Sequence, residues 1–324
     1  DDLSRCAERV LRRRDRNAEL KYRIYPSLLD KFQAYLNVEA EYEGPFNKNA
    51  YTGEYTLSME EMEEKLKQSL LNSINRVPYH SLAADNGTVF NELVDCLHKK
   101  RDTFRTDIEF KTFKEQGVIA ARLSQKEFED EVFLYDKEGA KSVAAFFEGS
   151  CSQLYVESTL DTALGKVLLY GFIDELKRDI VYDLKTTNMY QFGKFENHWQ
   201  RFVYPYCLIN SKQVKEITGF EYSIIKWRTR TVKIQKGNSL YRWINPKPFY
   251  LLDGKDVPQG TDGAIEQYPD EISAKVHSYE YYQEYYDYDH KEATDKLRYI
   301  VESFIEFLEA NRPLITDKKI FNKT

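Results

Sequence analysis

Apolar residues recur at intervals of three and four over several stretches of this chain, which is the pattern of amphipathic α-helices. Two predicted helices begin at capping-box spacings, Ser27 with Asp30 and Ser58 with Glu61. Asn197 is the predicted N-cap of an aromatic helix that Pro205 should kink. The predicted helices cover about residues 4–19, 27–36, 58–75, 88–99, 141–147, 199–210 and 289–311.

From residue 153 onward the apolar positions alternate with polar ones, which is typical of β-strands. The predicted strands are 154–160, one that ends at Asp174, 180–186, 220–227 and 231–235, with 108–113 as a further candidate. The polar residues 175–179 predict a tight turn. Residues 43–56 predict a loop, 244–270 an irregular insertion, and the acidic, Tyr-rich residues 279–288 the flank of a helix. Helices and strands together indicate an α/β (α+β) fold.

Composition narrows the class of protein. The 324 residues include 47 basic and 53 acidic ones, a net charge of −6, which predicts solubility and no general attraction to nucleic acid. The four cysteines form no Cys-x-x-Cys pair, which argues against zinc and iron–sulfur centres and favours reduced thiols. No signal peptide opens the chain and no apolar run reaches membrane-spanning length, so we expect a cytoplasmic protein without a membrane partner.

One short segment departs from this acidic average. Between residues 226 and 236 five residues are basic, none is acidic, and Trp227 lies among them. Basic residues interleaved with an aromatic one are typical of nucleic-acid surfaces, and charges that protect an exposed strand edge fit the pattern about as well. The candidate DNA-binding residues are Lys226, Arg228, Arg230 and Lys233.

Two acidic residues and a lysine are predicted to meet in the hairpin at 167–186. Asp174 ends the first strand, and Asp183 and Lys185 share one face of the second. Gln200 and Tyr204 lie one turn apart on the helix that follows. Such a group fits a metal-dependent phosphodiesterase site and a structural ion-pair cluster equally well.

The predicted helix at 88–99 carries a further polar group. Asn91, Asp95 and His98 fall on one face, and Glu92 lies to the other side. From this helix alone, a solvated face is the favoured interpretation.

These motifs together resemble a known family. Gly171-Phe-Ile-Asp174 followed by Asp183-Leu-Lys185 is similar to the core of the PD-(D/E)XK nuclease superfamily, and Gln200-Arg-Phe-Val-Tyr204 resembles the Gln-x-x-x-Tyr motif of its RecB-like exonuclease branch. Three further pieces extend the resemblance over about residues 25 to 227: the helix motif Gly87 to Asp95, Tyr25-Pro-Ser27 through Leu36, and Glu157 ahead of Gly171.

The resemblance implies a restriction-endonuclease-like core with a central mixed β-sheet flanked by helices. It implies one domain, 1–324, with an N-terminal helical region (1–84), the core (85–236) and an insertion with a C-terminal helix (237–324). Asp174, Asp183 and the Leu184 carbonyl would bind one or two Mg²⁺ or Mn²⁺ ions, and Lys185, Gln200 and Tyr204 would complete the catalytic group.

The sequence departs from the family at two places. Asn91 stands where the RecB-like pattern has His, so a metal ligand is weakened or moved to Glu92, Asp95 or His98. No cysteine follows Cys207, so we expect no iron–sulfur cluster. Glu157 is an additional acidic candidate.

The implied activity is hydrolysis of DNA to 5′-phosphate ends by a metal-dependent exonuclease. The motifs are closest in character to nucleases of phages, which would place the protein in the host cytoplasm, in DNA replication, recombination or processing. DNA is then the partner, with a helicase or recombination protein as a second one. The alternative is a catalytically weak or inactive DNA-binding or assembly module on the same scaffold.

Overall fold

The computed structural model describes residues 20–321, and the predicted helix at 4–19 lies outside this range. Within it, nine strands form one mixed sheet in the order β1-β6-β7-β8-β12-β4-β3-β2, with β5 beside β6, and three short strands form a separate sheet. The strands are β1 (Leu20–Ile24), β2 (Ile108–Phe113), β3 (Val118–Leu123), β4 (Glu131–Asp136), β5 (Cys151–Thr162), β6 (Gly165–Lys177), β7 (Ile180–Thr187), β8 (Gly219–Gln235), β9 (Phe249–Leu252), β10 (Lys255–Val257), β11 (Ile265–Gln267) and β12 (Glu271–Asp287).

Helices cover this sheet, which confirms the α/β class with a central mixed sheet. They are α1 (Pro26–Leu36), α2 (Val38–Glu43), α3 (Met59–Ile74), α4 (Leu82–Lys99), α5 (Lys137–Phe146), α6 (Gln200–Asn210), α7 (Ser239–Ile244) and α8 (His290–Ala310). Three 3₁₀ turns add Pro45–Asn47, Arg312–Leu314 and Lys318–Ile320. No helix between residues 20 and 321 is long and apolar enough to cross a membrane.

Three apolar cores lie against the sheet among the described residues. The smallest packs α7 against β2, β3, β4, β8 and β12, and the other two meet at β7. The larger one packs α1, α3, α6 and α8 against β5, β6 and β8, and the second packs α4 and α5 against β2, β3 and β4. Strand β7 serves both, because Val181 belongs to the larger core whereas Tyr182 and Leu184 belong to the second. The alternation predicted for β7 is therefore confirmed.

Some helix starts were predicted correctly and others were not. Ser58 and Glu61 form the expected capping box of α3. Helix α1 begins at Pro26, and its N-cap Tyr25 makes no side-chain cap hydrogen bond, so the capping box predicted at Ser27 and Asp30 was wrong. Asp30 instead accepts a hydrogen bond from the Trp199 backbone N–H at 2.7 Å. Helix α4 begins earlier than predicted, after the cap Ser81. Helix α6 follows Trp199, so the prediction of Asn197 as N-cap was wrong.

Long-range strand pairing accounts for the other differences. Strands β8 and β12 pair over their whole length, so the predicted break in β8 and the predicted helix flank at 279–288 were both wrong. Strand β6 continues past Asp174, and Arg178, with φ of 57°, makes the turn to β7 tighter than expected. The insertion at 244–270 holds strands β9, β10 and β11.

Candidate functional site

A gap in strand pairing along β6 defines the site. Strand β5 occupies one edge of β6 over almost its full length. On the other edge, β1 pairs with residues 166–169 and β7 pairs with residues 175–177. Among the described strands none pairs with residues 170–174 on this edge, so their backbone and the Asp174 side chain face an opening in the sheet.

Asp174 lies in this opening and contacts two elements. Its Oδ2 atom accepts the Leu184 backbone N–H at 2.9 Å and the Asn91 side-chain Nδ2–H at 3.4 Å. Burial, and then the nearby Asp183 carboxylate, raise the pKa of Asp174 to about 8. Because the N–H and C=O of one strand residue point to the same side, the Leu184 carbonyl also faces the opening.

Asp183, Lys185 and Gln200 form a closed hydrogen-bonded group beside Asp174. The Lys185 Nζ atom lies 2.8 Å from Asp183 Oδ2 and donates to Gln200 Oε1 at 2.5 Å. Gln200 Nε2 donates to Asp183 Oδ1 at 2.7 Å, so the amide bridges the two charged groups. Burial alone would lower the pKa of Lys185, but Asp183 and Asp174 raise it above its usual value, which keeps the amine charged.

Tyr204 packs over the strand at the position where the sequence has Gly171. Its hydroxyl lies 3.4 Å from Gln200 Nε2, and burial raises its pKa well above the usual value. A Cβ atom added to Gly171 would lie 2.7 Å from Tyr204 Cε1, closer than van der Waals contact allows. The glycine of the hairpin motif therefore gives the Tyr204 ring room beside the strand.

Helix α4 brings Asn91 to the same opening. Gly87 lets the helix approach β7 closely, because an added Cβ would lie 2.9 Å from Thr186 Oγ1. Asn91 Nδ2 binds Asp174, and its Oδ1 atom is buried with no hydrogen-bond partner among the described residues. An unpaired buried carbonyl oxygen costs free energy, and a cation is one partner that would satisfy it.

A groove of about 450 Å³ leads from the protein surface to Gln200 and Tyr204. The groove is also lined by Tyr25, Pro26 and Ser27 and by Tyr170, Gly171 and Phe172. The Tyr-Pro-Ser segment noted in the sequence therefore lines the same groove as Gln200 and Tyr204.

Asp30 is a site neighbour that sequence reasoning assigned only to a helix cap. Burial raises its pKa to about 6, and the charges of Lys185 and Asp183 both act on it. His198 Nδ1 lies 3.7 Å from its Oδ2 atom, and burial and Lys185 lower the pKa of His198 to about 4. In the sequence, the position of Asp30 three residues after Ser27 of the Tyr-Pro-Ser segment was the signal that could have indicated this role.

Other predicted metal ligands have partners of their own. Glu92 accepts a hydrogen bond from Arg101 at 3.0 Å, and Glu157, on β5, accepts one from the Tyr155 hydroxyl at 2.7 Å. Asp95 and His98 are buried beside Glu175, so the interpretation of their helix face as solvated was wrong.

The predicted DNA-binding residues are ion-paired. Lys226 and Arg228 both contact Glu280, Lys233 contacts Glu271, and Arg230 lies 4.0 Å from Asp136. From Trp227 onward, β8 has only β12 beside it among the described strands, so a protected strand edge also fits.

The chain matches no protein-family model, no curated protein and no solved structure. The resemblance to PD-(D/E)XK nucleases therefore depends on the sequence motifs alone.

Proposed function

We propose that this protein is a metal-dependent deoxyribonuclease whose active site is the opening in the sheet beside β6. The observation that carries this proposal is the convergence of Asp174, Asp183 and Lys185 with Gln200 from α6. A structural ion-pair cluster accounts less well for the two neighbouring carboxylates, because only one lysine is paired with them among residues 20–321.

The donor set at the opening fits a hard divalent cation. The residues that would hold Mg²⁺ or Mn²⁺ are Asp174, Asp183 and Asn91, with the Leu184 carbonyl, and all four offer oxygen atoms. Asn91 Oδ1 lacks a partner, and Asp174 Oδ1 accepts no hydrogen bond from the described residues. An amide oxygen in place of the family's histidine therefore preserves an oxygen-rich site for one or two ions. When bound, such an ion would acidify water and neutralise charge that develops on the phosphate.

The protein's own side chains would hold the charged groups of the site in place and balance the charge of the phosphate. The charged Lys185 amine would offset negative charge on a phosphate placed next to Asp183, which fits its raised pKa better than a role as general base. Gln200 holds Asp183 and Lys185 in place through its hydrogen bonds to both. The Tyr204 hydroxyl contacts Gln200 Nε2 and supports its position.

The groove suggests how a DNA strand would approach. Phe172 is 57% exposed, and Tyr25 and Tyr170 pack edge to face along the same groove. Aromatic surfaces stack on bases without sequence preference, and Arg76 at the groove wall could contact a phosphate. The family resemblance is the basis for proposing exonuclease action in phage DNA metabolism. It is also the basis for proposing the host cytoplasm as the location and a helicase or recombination protein as a partner.

A cleavage assay on linear, circular, single-stranded and double-stranded DNA, with Mn²⁺, Mg²⁺ or EDTA, tests the proposal. We expect cleavage that requires the metal, leaves 5′-phosphate ends and prefers substrates with free ends. The proposal would be overturned if none of these substrates were cleaved, with Mn²⁺ or with Mg²⁺.

The second candidate is a DNA-binding module that does not cleave, and Asn91 in place of histidine favours it. Mn²⁺ titration separates the two: a nuclease binds Mn²⁺ through Asp174 and Asp183 and cuts labelled DNA. An inactive module binds DNA equally well with Mn²⁺ and with EDTA.

A further inference from the structure

A second buried group of ionisable side chains lies next to the candidate active site. Asp95 and His98, from α4, meet Glu175, which directly follows Asp174 on β6. His98 Nε2 lies 2.8 Å from Glu175 Oε1 and 3.6 Å from Asp95 Oδ1. All three side chains are at most 4% exposed.

His98 is the one basic side chain within 4.0 Å of these two carboxylates among the described residues. Within residues 20–321, no lysine or arginine forms a salt bridge with Asp95 or Glu175. Asp95 Oδ2 and His98 Nδ1 are both buried, and neither atom has a hydrogen-bond partner among the described residues. Buried carboxylates without a counter-charge are costly, so a cation or protons must be present.

We propose that Asp95, His98 and Glu175 bind a divalent transition-metal ion, with Zn²⁺ as the best match. Their ligand atoms all lie within 4.8 Å of one another. In a tetrahedral zinc site with bonds of about 2.0–2.1 Å, ligand atoms lie about 3.3 Å apart, and the two observed separations, 2.8 and 3.6 Å, bracket this value.

The surrounding hydroxyl groups complete the donor set. Ser152 Oγ lies 2.9 Å from His98 Nε2 and is placed to become a fourth ligand. Ser150 Oγ donates to Glu175 Oε2 at 2.5 Å and so orients the carboxylate. An imidazole nitrogen among the ligands favours zinc over magnesium, which distinguishes this site from the all-oxygen opening at Asp174.

An ion here would connect the two elements that form the candidate active site. Asp95 lies one helical turn from Asn91, and Glu175 is bonded in sequence to Asp174. Zn²⁺ would therefore tie α4 to β6 behind the opening. The site itself does not depend on nuclease activity.

The competing occupant is a proton. In that state His98 Nε2–H donates to Glu175, and Asp95 and Glu175 share a proton. The lone pair on His98 Nδ1 then has no partner among residues 20–321. Direct metal titration distinguishes these two states.

The test is titration of the full-length Asp183→Asn protein, stripped with a chelator, with Co²⁺ alone. This background weakens the proposed catalytic site, and tetrahedral Co²⁺ has strong visible absorption. We expect one equivalent of Co²⁺ to give that absorption, Zn²⁺ to displace it, and bound metal to raise the melting temperature. Adding His98→Gln removes a direct ligand and should weaken binding by at least the roughly 100-fold that loss of an outer-shell partner can cost, while the far-ultraviolet circular dichroism stays unchanged.

Absence of the Co²⁺ band in the Asp183→Asn protein would overturn the proposal whether or not the His98 variant folds. Equal Co²⁺ affinity with and without His98→Gln would overturn it as well. Neither result bears on DNA cleavage by the unsubstituted protein, so failure of this proposal is distinguishable from failure of the nuclease proposal.

Discussion

Replacing Asp174 with asparagine should stabilise the metal-free protein at neutral and alkaline pH. Asp174 is held next to Asp183 in a poorly hydrated opening, and its pKa rises from 3.8 to about 8. Asparagine keeps the shape and can still accept the Leu184 N–H, but it has no charge to bury. A residue that destabilises the fold in this way is typical of a functional site.

The sign and size of the effect follow from proton linkage. Because the folded-state pKa lies above the unfolded value, the folded protein keeps a proton that the unfolded chain releases, and stability falls as pH rises between about 4 and about 8. Each pH unit in this window corresponds to about 1.4 kcal/mol, so three units from pH 5 to pH 8 set an upper limit of about 4 kcal/mol. Asp174 is not fully enclosed, and water entry reduces the cost, so we expect about 2 kcal/mol.

Urea unfolding in EDTA at pH 5 and pH 8.5 measures this difference. Asp174→Asn should gain about 2 kcal/mol relative to the unsubstituted protein between the two pH values, whereas Asp179→Asn, in the turn of the hairpin, should not. With saturating Mn²⁺ the order should reverse, because the ion stabilises only the intact site. A constant difference between Asp174→Asn and the unsubstituted protein at both pH values would refute the reasoning.

Three further substitutions test single contacts. Gly171→Ala should push Tyr204 away from the strand and cost about 1–3 kcal/mol in urea unfolding; an unchanged midpoint would show that the ring has room. Gln200→Ala should lower the cleavage rate by about 10- to 100-fold with DNA affinity retained, and a loss of affinity alone would contradict its bridging role. Glu280→Gln should release Arg228 from its ion pair and strengthen DNA binding at low salt, as measured by a fluorescence titration. Unchanged affinity would show that Arg228 does not belong to the DNA-binding surface.

Local patterns predicted much of the hairpin and its helix. Alternation in β7 correctly separated Asp183 and Lys185 from Tyr182, since the period of a strand is a property of neighbouring residues. The one-turn spacing of Gln200 and Tyr204 likewise placed both side chains beside each other in α6.

The opening at Asp174 could not be predicted in the same way. It exists because β1 and β7 leave part of one edge of β6 unpaired, and β1 lies more than a hundred residues away in sequence. The same limit applies to Asp30, whose contact with Trp199 spans 169 residues. The burial of Asp95 and His98 depends on Glu175, a strand residue that the helix pattern does not show.

The misassigned strand β12 had a usable signal. Its β-branched and aromatic residues have high strand propensity, but its acidic residues obscured the alternation. Pairing with β8 over the whole strand, which only the tertiary structure supplies, decides the outcome.

The central claim is that the opening beside β6 cleaves DNA, and site variants test it most directly. Mn²⁺-dependent cleavage of end-labelled linear DNA is compared for Asp183→Asn and Lys185→Ala, with Asp179→Asn and the exposed Lys215→Ala as matched controls. We predict that both site variants lose activity by about 100-fold or more, that both controls cleave normally, and that all four stay folded by circular dichroism. Undiminished cleavage by both site variants would contradict the assignment.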